Sequence, residues 1–188
     1  MIEATQMLKS RCRNFDDRRG PGARRHAWRL GVALVALGLW CAPLASANEF
    51  NDGERAYARQ DYARAAAIFS REAEQGQVAA QSYLGYMYAQ GRGVPQDDVK
   101  AAQWLRRAAD QGFPAAQFLL GLMVDKGQGV KQDFVEAEVL LDLAVARADP
   151  KERDYWTRVR NAVASKLTRA ELAQAQKRAL EWLPTQER

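Results

Sequence analysis

Ala80-Gln-Ser-Tyr-Leu84-Gly85-Tyr-Met-Tyr88-Ala-Gln-Gly91-Arg-Gly93-Val94-Pro-Gln-Asp97 decides the fold, because it comes back. Thirty-six positions on, Ala116-Gln-Phe-Leu-Leu120-Gly121-Leu-Met-Val124-Asp-Lys-Gly127-Gln-Gly129-Val130-Lys-Gln-Asp133 follows the same plan. At that offset residues 76–111 and 112–147 agree at 16 of 36 positions, and the agreements gather at apolar and turn positions. A weaker copy precedes them, with Asp61, Ala65, Ala66, Arg71, Ala73, Gln75 and Gly76 recurring at Asp97, Ala101, Ala102, Arg107, Ala109, Gln111 and Gly112. A period of this size marks a stacked array of small units.

Each unit reads as two helices. Ala80, Leu84, Met87 and Tyr88 recur at helical spacing and put one apolar stripe inward. Gly91 ends that helix, since glycine tolerates the left-handed conformation that follows a helix end. Asp97 suits the N-cap of the second helix, and Asp133 followed by Glu136 suggests a capping box. The second helix packs through Ala101, Trp104, Leu105 and Ala108 and ends at Gly112. One such hairpin cannot bury its own apolar face, so neighbours must stack. The expected fold is all-α, a short α/α solenoid.

The pattern Ala80-x-x-x-Leu84-Gly85-x-x-Tyr88-x-x-Gly91-x-Gly93-Val94-x-x-Asp97-x-x-Lys100-Ala101-x-x-Trp104-x-x-x-Ala108-Ala109-x-x-Gly112 resembles the Sel1-like repeat, a relative of the tetratricopeptide repeat. The next copy carries Val124, Glu136 and Leu140 where Tyr88, Lys100 and Trp104 stand. In the first copy, Tyr57-Ala-Arg-Gln-Asp61-Tyr62 lacks the Gly-x-Gly-Val link and resembles a tetratricopeptide turn. The resemblance spans roughly residues 50–148. It implies an adaptor or regulator in the assembly of protein complexes, including complexes at the bacterial cell envelope. A few cysteine-rich members of the family are associated with binding or hydrolysing β-lactams. Their folds lean on a disulfide in each repeat, and this chain has no cysteine between residues 48 and 188.

The flanks differ from the array. Residues 1–29 hold Lys9, Arg11, Arg13, Arg18, Arg19, Arg24, Arg25 and Arg29 against Glu3, Asp16 and Asp17. An uncharged, strongly apolar run follows, ending in Ala45-Ser46-Ala47. Basic segment, short apolar core and small-x-small site together describe a secretory signal peptide cleaved after Ala47. The domains are then a leader (1–47), repeats (48–148) and C-terminal capping helices (149–188), in a periplasmic protein. An uncleaved anchor is the competing reading, although residues 30–47 sit just under the roughly 20 that a spanning helix needs and include Pro43. A misassigned start or a lipid-modified Cys41 are further readings of this segment.

Without residues 1–47, 20 Lys and Arg face 20 Asp and Glu, and no Cys or His remains. The positive charge belongs to the leader, so nothing points to nucleic acid. With neither Cys nor His there is no thiolate nucleophile, no imidazole base and no His-bearing metal site. Ser70, Ser82 and Ser165 lack a nucleophile setting, and Glu72/Glu74 and Asp97/Asp98 fall at helix ends. The expectation is therefore a non-catalytic scaffold with no cofactor and no metal, holding a protein or peptide partner. An envelope enzyme acting on peptidoglycan or β-lactams is the alternative, as is a membrane-tethered scaffold. Tyr83, Tyr86 and Gln90 lie within about 60° on one helix face, beside the core stripe. With their counterparts Leu119, Leu122 and Lys126 they form the candidate partner face, or else they widen the core.

Beyond the array, Pro150 opens a helix and Thr168-Arg-Ala-Glu171 is a capping box for a last one reaching Trp182, with Pro184 as its stop. Leu167, Leu172, Ala175, Ala179 and Leu183 are expected to seat this pair on the final repeat, and Tyr155, Trp156 and Trp182 to join that cap or to dock a partner.

Overall fold

The computed structural model of the protein describes residues 43–184, and for 43–48 the backbone alone. Most of the expected leader, including Cys12, His26 and Cys41, lies outside the described residues. Within them are eight helices and no strand: α1 Pro43–Ala58, α2 Tyr62–Glu74, α3 Val78–Gln90, α4 Asp98–Asp110, α5 Pro114–Lys126, α6 Phe134–Ala146, α7 Pro150–Ala164 and α8 Arg169–Glu181. From α1 to α7 each helix packs on the next, and α8 then returns to pack on α6. The fold is a helical-hairpin solenoid in which α1, α3, α5 and α7 form one layer and α2, α4 and α6 the other.

The link between the two helices of a repeat shows why its glycines recur. Gly91 and Gly127 adopt the left-handed conformation at the ends of α3 and α5. Gly93 and Gly129 are also left-handed, with φ of 73° and 66°. A Cβ on Gly93 would stand 2.1 Å from the carbonyl oxygen of Tyr62, and one on Gly129 2.1 Å from that of Asp98. The link of each repeat therefore rests on the first turn of the preceding repeat's second helix, backbone against backbone. Asp97 and Asp133 then cap α4 and α6, each carboxylate accepting from the third N–H at 2.9 Å. The reciprocal half of the expected capping box is missing in α6, because the Glu136 carboxylate turns to Arg106 of α4.

Unit one obeys the same packing with a shorter connection. Its link is three residues, with Gln60 left-handed at φ 65° and Asp61 capping α2. That places Gly53 where Gly85 and Gly121 stand, against Phe69 as they stand against Leu105 and Leu141. The offset between units one and two is thus 32 residues along the first helices and 36 along the second.

The tail prolongs the scheme for one more helix. Trp156 lies 36 residues beyond Leu120 and is likewise wholly buried, stacked on Phe118 at 4.7 Å. Pro150 opens α7, and Thr168 with Glu171 forms the complete capping box of α8. Ala175 is buried between Val139 and Leu143 of α6, with Ala179 and Trp182 packed alongside, while Leu167 and Leu172 are half-buried. Leu183, expected to help seat the cap, is 82% exposed, because α8 ends at Glu181 and Leu183 lies beyond its packed stripe.

Candidate partner-binding surface

The six residues of the expected partner face are divided by the structure. Tyr83 is fully buried. Its ring stacks on Phe69 at 4.6 Å and meets Phe50 and Tyr57 edge-on, and its hydroxyl donates to Glu54 Oε1 at 2.9 Å. Burying such a ring is worth about 1.5–3 kcal/mol, and its one polar atom is satisfied. Tyr86 is 5% exposed and sits beneath the Arg92 guanidinium. These two tyrosines are core rather than surface. Phe50 and Tyr57 of α1 meet α3 at this point. Leu119 and Leu122 are half-buried, and only Gln90 and Lys126 are open to solvent.

The reason reaches beyond those two residues. α3 and α5 are buried along most of their length and on all sides, whereas α2 and α4 bury one face and turn the other outward. The broad accessible surface therefore belongs to the second helices. On α4 it carries Val99, Lys100, Gln103 and Arg107, all exposed, with Trp104 half-buried among them. The Arg107 guanidinium lies 4.6 Å from the centre of the Trp104 ring. The Lys100 ammonium pairs with Asp97 at 3.3 Å and lies 5.5 Å from the Tyr88 ring.

Two buried carboxylates break the apolar pattern. Glu138 is wholly buried, and neither of its oxygens has a hydrogen-bond partner. Burial pushes its carboxyl up to about 7, and Asp142 one turn away adds to the shift, while Arg160 from α7 opposes it. Asp142 is also raised by burial, although Arg160 donates to it at 2.8 Å. Glu72 is buried near Glu49, and burial with that neighbour raises its carboxyl too. At positions 36 residues apart the array places alanine instead, Ala102 for Glu138 and Ala108 for Glu72. Among the described residues no cluster of three or more His, Cys, Asp or Glu could hold a metal ion. Ser82 is buried inside α3. No described helix is long and apolar enough to cross a membrane.

Comparisons with known proteins agree with this geometry. The Sel1 repeat model matches residues 78–113 and 114–149, the α3–α4 and α5–α6 hairpins. Among solved structures, the chain is similar to c5321, described as a protective antigen of uropathogenic Escherichia coli strains displaying an SLR fold. Identity is 33%, with 73% of this chain and 29% of that chain covered and a TM-score of 0.67. A Sel1 repeat protein from Oxalobacter formigenes matches with 36% identity over 48% of this chain and 26% of that one, with a TM-score of 0.46. The chain thus spans under a third of the length of either solved relative. No curated protein matches it. Proteins built from these repeats generally mediate protein–protein interaction and are typically non-catalytic scaffolds. Residues 78–149 are two Sel1 repeats, and the chain carries them in the helical solenoid of that family.

Proposed function

We propose that this chain is a non-catalytic scaffold of the bacterial cell envelope, exported by its N-terminal leader and holding one partner protein or peptide. The observation that carries the reading is the pair of Sel1 repeats at residues 78–149, a module of protein interaction. The residue inventory supports it, since residues 48–188 have no Cys or His. The leader pattern of residues 1–47 supports export. Gln90, Leu119, Leu122 and Lys126 remain as the accessible part of the first-helix face, and the outward sides of α2 and α4 offer the wider surface.

In-cell cross-linking followed by rebinding of the purified partner tests the proposal. The expected result is one envelope protein that rebinds with a defined stoichiometry. Turnover of nitrocefin or peptidoglycan fragments by purified residues 48–188 would overturn the non-catalytic reading. Mass spectrometry of the natural amino terminus tests export separately. A first residue of Asn48 is expected, and an intact leader identifies a tethered scaffold.

A further inference from the structure

α4 and α6 hold the same place in successive repeats, so their outward faces can be compared position by position. On α6 that face is covered: Val135, Val139 and Leu143 seat α8 through Ala175, Ala179 and Trp182. On α4 the same three positions are Val99, Gln103 and Arg107, and all are open to solvent. Val99 is 53% exposed. It is one of three large hydrophobic residues that stand well exposed among the described residues, the others being Leu180 and Leu183. The latter two flank the end of α8, whose Trp182 and Pro184 lie against Gly112 at the carboxyl end of α4. The α4 face thus runs from Val99 to Gly112, where the end of α8 lies, about 20 Å at 1.5 Å per residue. Between them stand Lys100, Trp104 and Arg107. The Arg107 guanidinium rests on Trp104 and, among the described residues, holds no carboxylate.

We infer that the outer face of α4 is the docking site for an acidic amphipathic helix of the partner, seated as α8 is seated on α6. This deepens the scaffold reading and rests on it. Two observations choose the occupant. The fold already places a helix on the repeat-related face of α6, so the shape of the seat is established. Where α6 offers Leu143, α4 offers Arg107, with Lys100 nearby, so the incoming helix must bring carboxylates beside its small apolar stripe. A stripe of two or three apolar residues flanked by Glu meets Val99, Trp104 and the aliphatic stem of Arg107.

The probe is a labelled peptide copying residues 168–184, with Arg169→Glu, Lys177→Glu and Arg178→Glu, titrated against the full exported chain. It keeps the seating residues of α8 and inverts the surrounding charge. We expect the acidic peptide to bind about tenfold more tightly than the unaltered sequence, and to weaken about tenfold between low and high salt. Val99→Asp and Arg107→Glu are each expected to weaken it about tenfold, with the melting temperature of the chain unchanged. The proposal is overturned if neither peptide binds or if charge makes no difference. Binding that ignores Val99→Asp and Arg107→Glu but is lost in Val139→Asp also overturns it, because the peptide has then displaced α8 from α6. A dimer in sedimentation that Arg107→Glu abolishes would make a second copy the occupant, which overturns it too. If a purified, cross-linked partner rebinds Arg107→Glu undiminished, the scaffold reading stands and this face is wrong. If the peptide binds as expected while no partner is recovered, the face stands and the scaffold reading falls.

Discussion

α4 and α6 descend from one plan and meet opposite surroundings. Both start after a capping aspartate, both carry an inward alanine and leucine at Ala101/Ala137 and Leu105/Leu141, and both receive a glycine of the paired helix against that leucine. On the other side α4 keeps Gln103 and Arg107 in water, while α6 has Val139 and Leu143 under α8. A repeat position therefore has two layers of meaning. The inward half specifies the hairpin and cannot vary much, and the outward half records what lies on top of it.

Substitutions can separate the two layers. The largest loss is expected where the repeats are most alike. Gly93→Ala and Gly129→Ala should each cost about 4 kcal/mol in chemical denaturation, since the added Cβ meets a backbone carbonyl and φ is positive. Equal losses would show that the inward half is shared, and a difference above about 1 kcal/mol would show that the repeats tolerate the link unequally.

Next comes the outward half. Val139→Asp is expected to cost about 3 kcal/mol and to release α8, read as new amide exchange over residues 169–181. Gln103→Asp at the related position should change stability by less than about 0.5 kcal/mol. Similar losses at the two sites would erase the contrast.

Glu138 gives an effect of about 3 kcal/mol that depends on pH. Its folded carboxyl titrates near 7 and its unfolded one near 4.5, so the folded state binds the extra proton. Its contribution is fully present below pH 4.5 and is lost as pH rises to about 7. Asp142 and Arg160 are the charged groups acting on it. Glu138→Ala, matching Ala102, should stabilise the chain above pH 7 and flatten the profile between those values. A profile that keeps its slope would assign the titration elsewhere. The smallest expected effect is at the caps, where Asp97→Ala and Asp133→Ala should each cost about 1 kcal/mol by thermal melting. Loss of the Arg106–Glu136 pairing should appear only in the second of these, through the loosened first turn of α6.

What the sequence revealed follows the same division. The links, both aspartate caps, the inward alanines and the capping box of α8 were legible because each is a local backbone requirement with few residues that satisfy it. The burial of Tyr83 and Tyr86 was one of two readings of their spacing, which by itself did not choose between them. It depends on α1, whose register against the array is displaced by four residues, so the 36-residue offset that aligns the second helices does not align Gly53 with Gly85. The helical spacing of Tyr83, Tyr86 and Gln90 was correct, but a helix buried from Ala79 to Met87 leaves only its last turn, with Gln90, to offer. A signal did exist for α8. Phe134 to Ala146 is apolar nearly all round, which a second helix of an array has no reason to be unless something lies over it. Leu183 misled because the apolar spacing of α8 continues past the end of its helix.

The clasp around Tyr83 also bears on how the molecule comes apart. Nearly all packing here joins helices adjacent along the chain, a topology that folds quickly and tends to open from an end inward. At the first end, α1 cannot peel away alone, because its Phe50 and Tyr57 hold Tyr83 of α3 from one side while Phe69 of α2 holds it from another. Its departure strips a phenol of two ring neighbours and of the Glu54 acceptor at once. Amide exchange should therefore show α1, α2 and the amino-terminal half of α3 opening together as one cooperative unit, rather than fraying residue by residue.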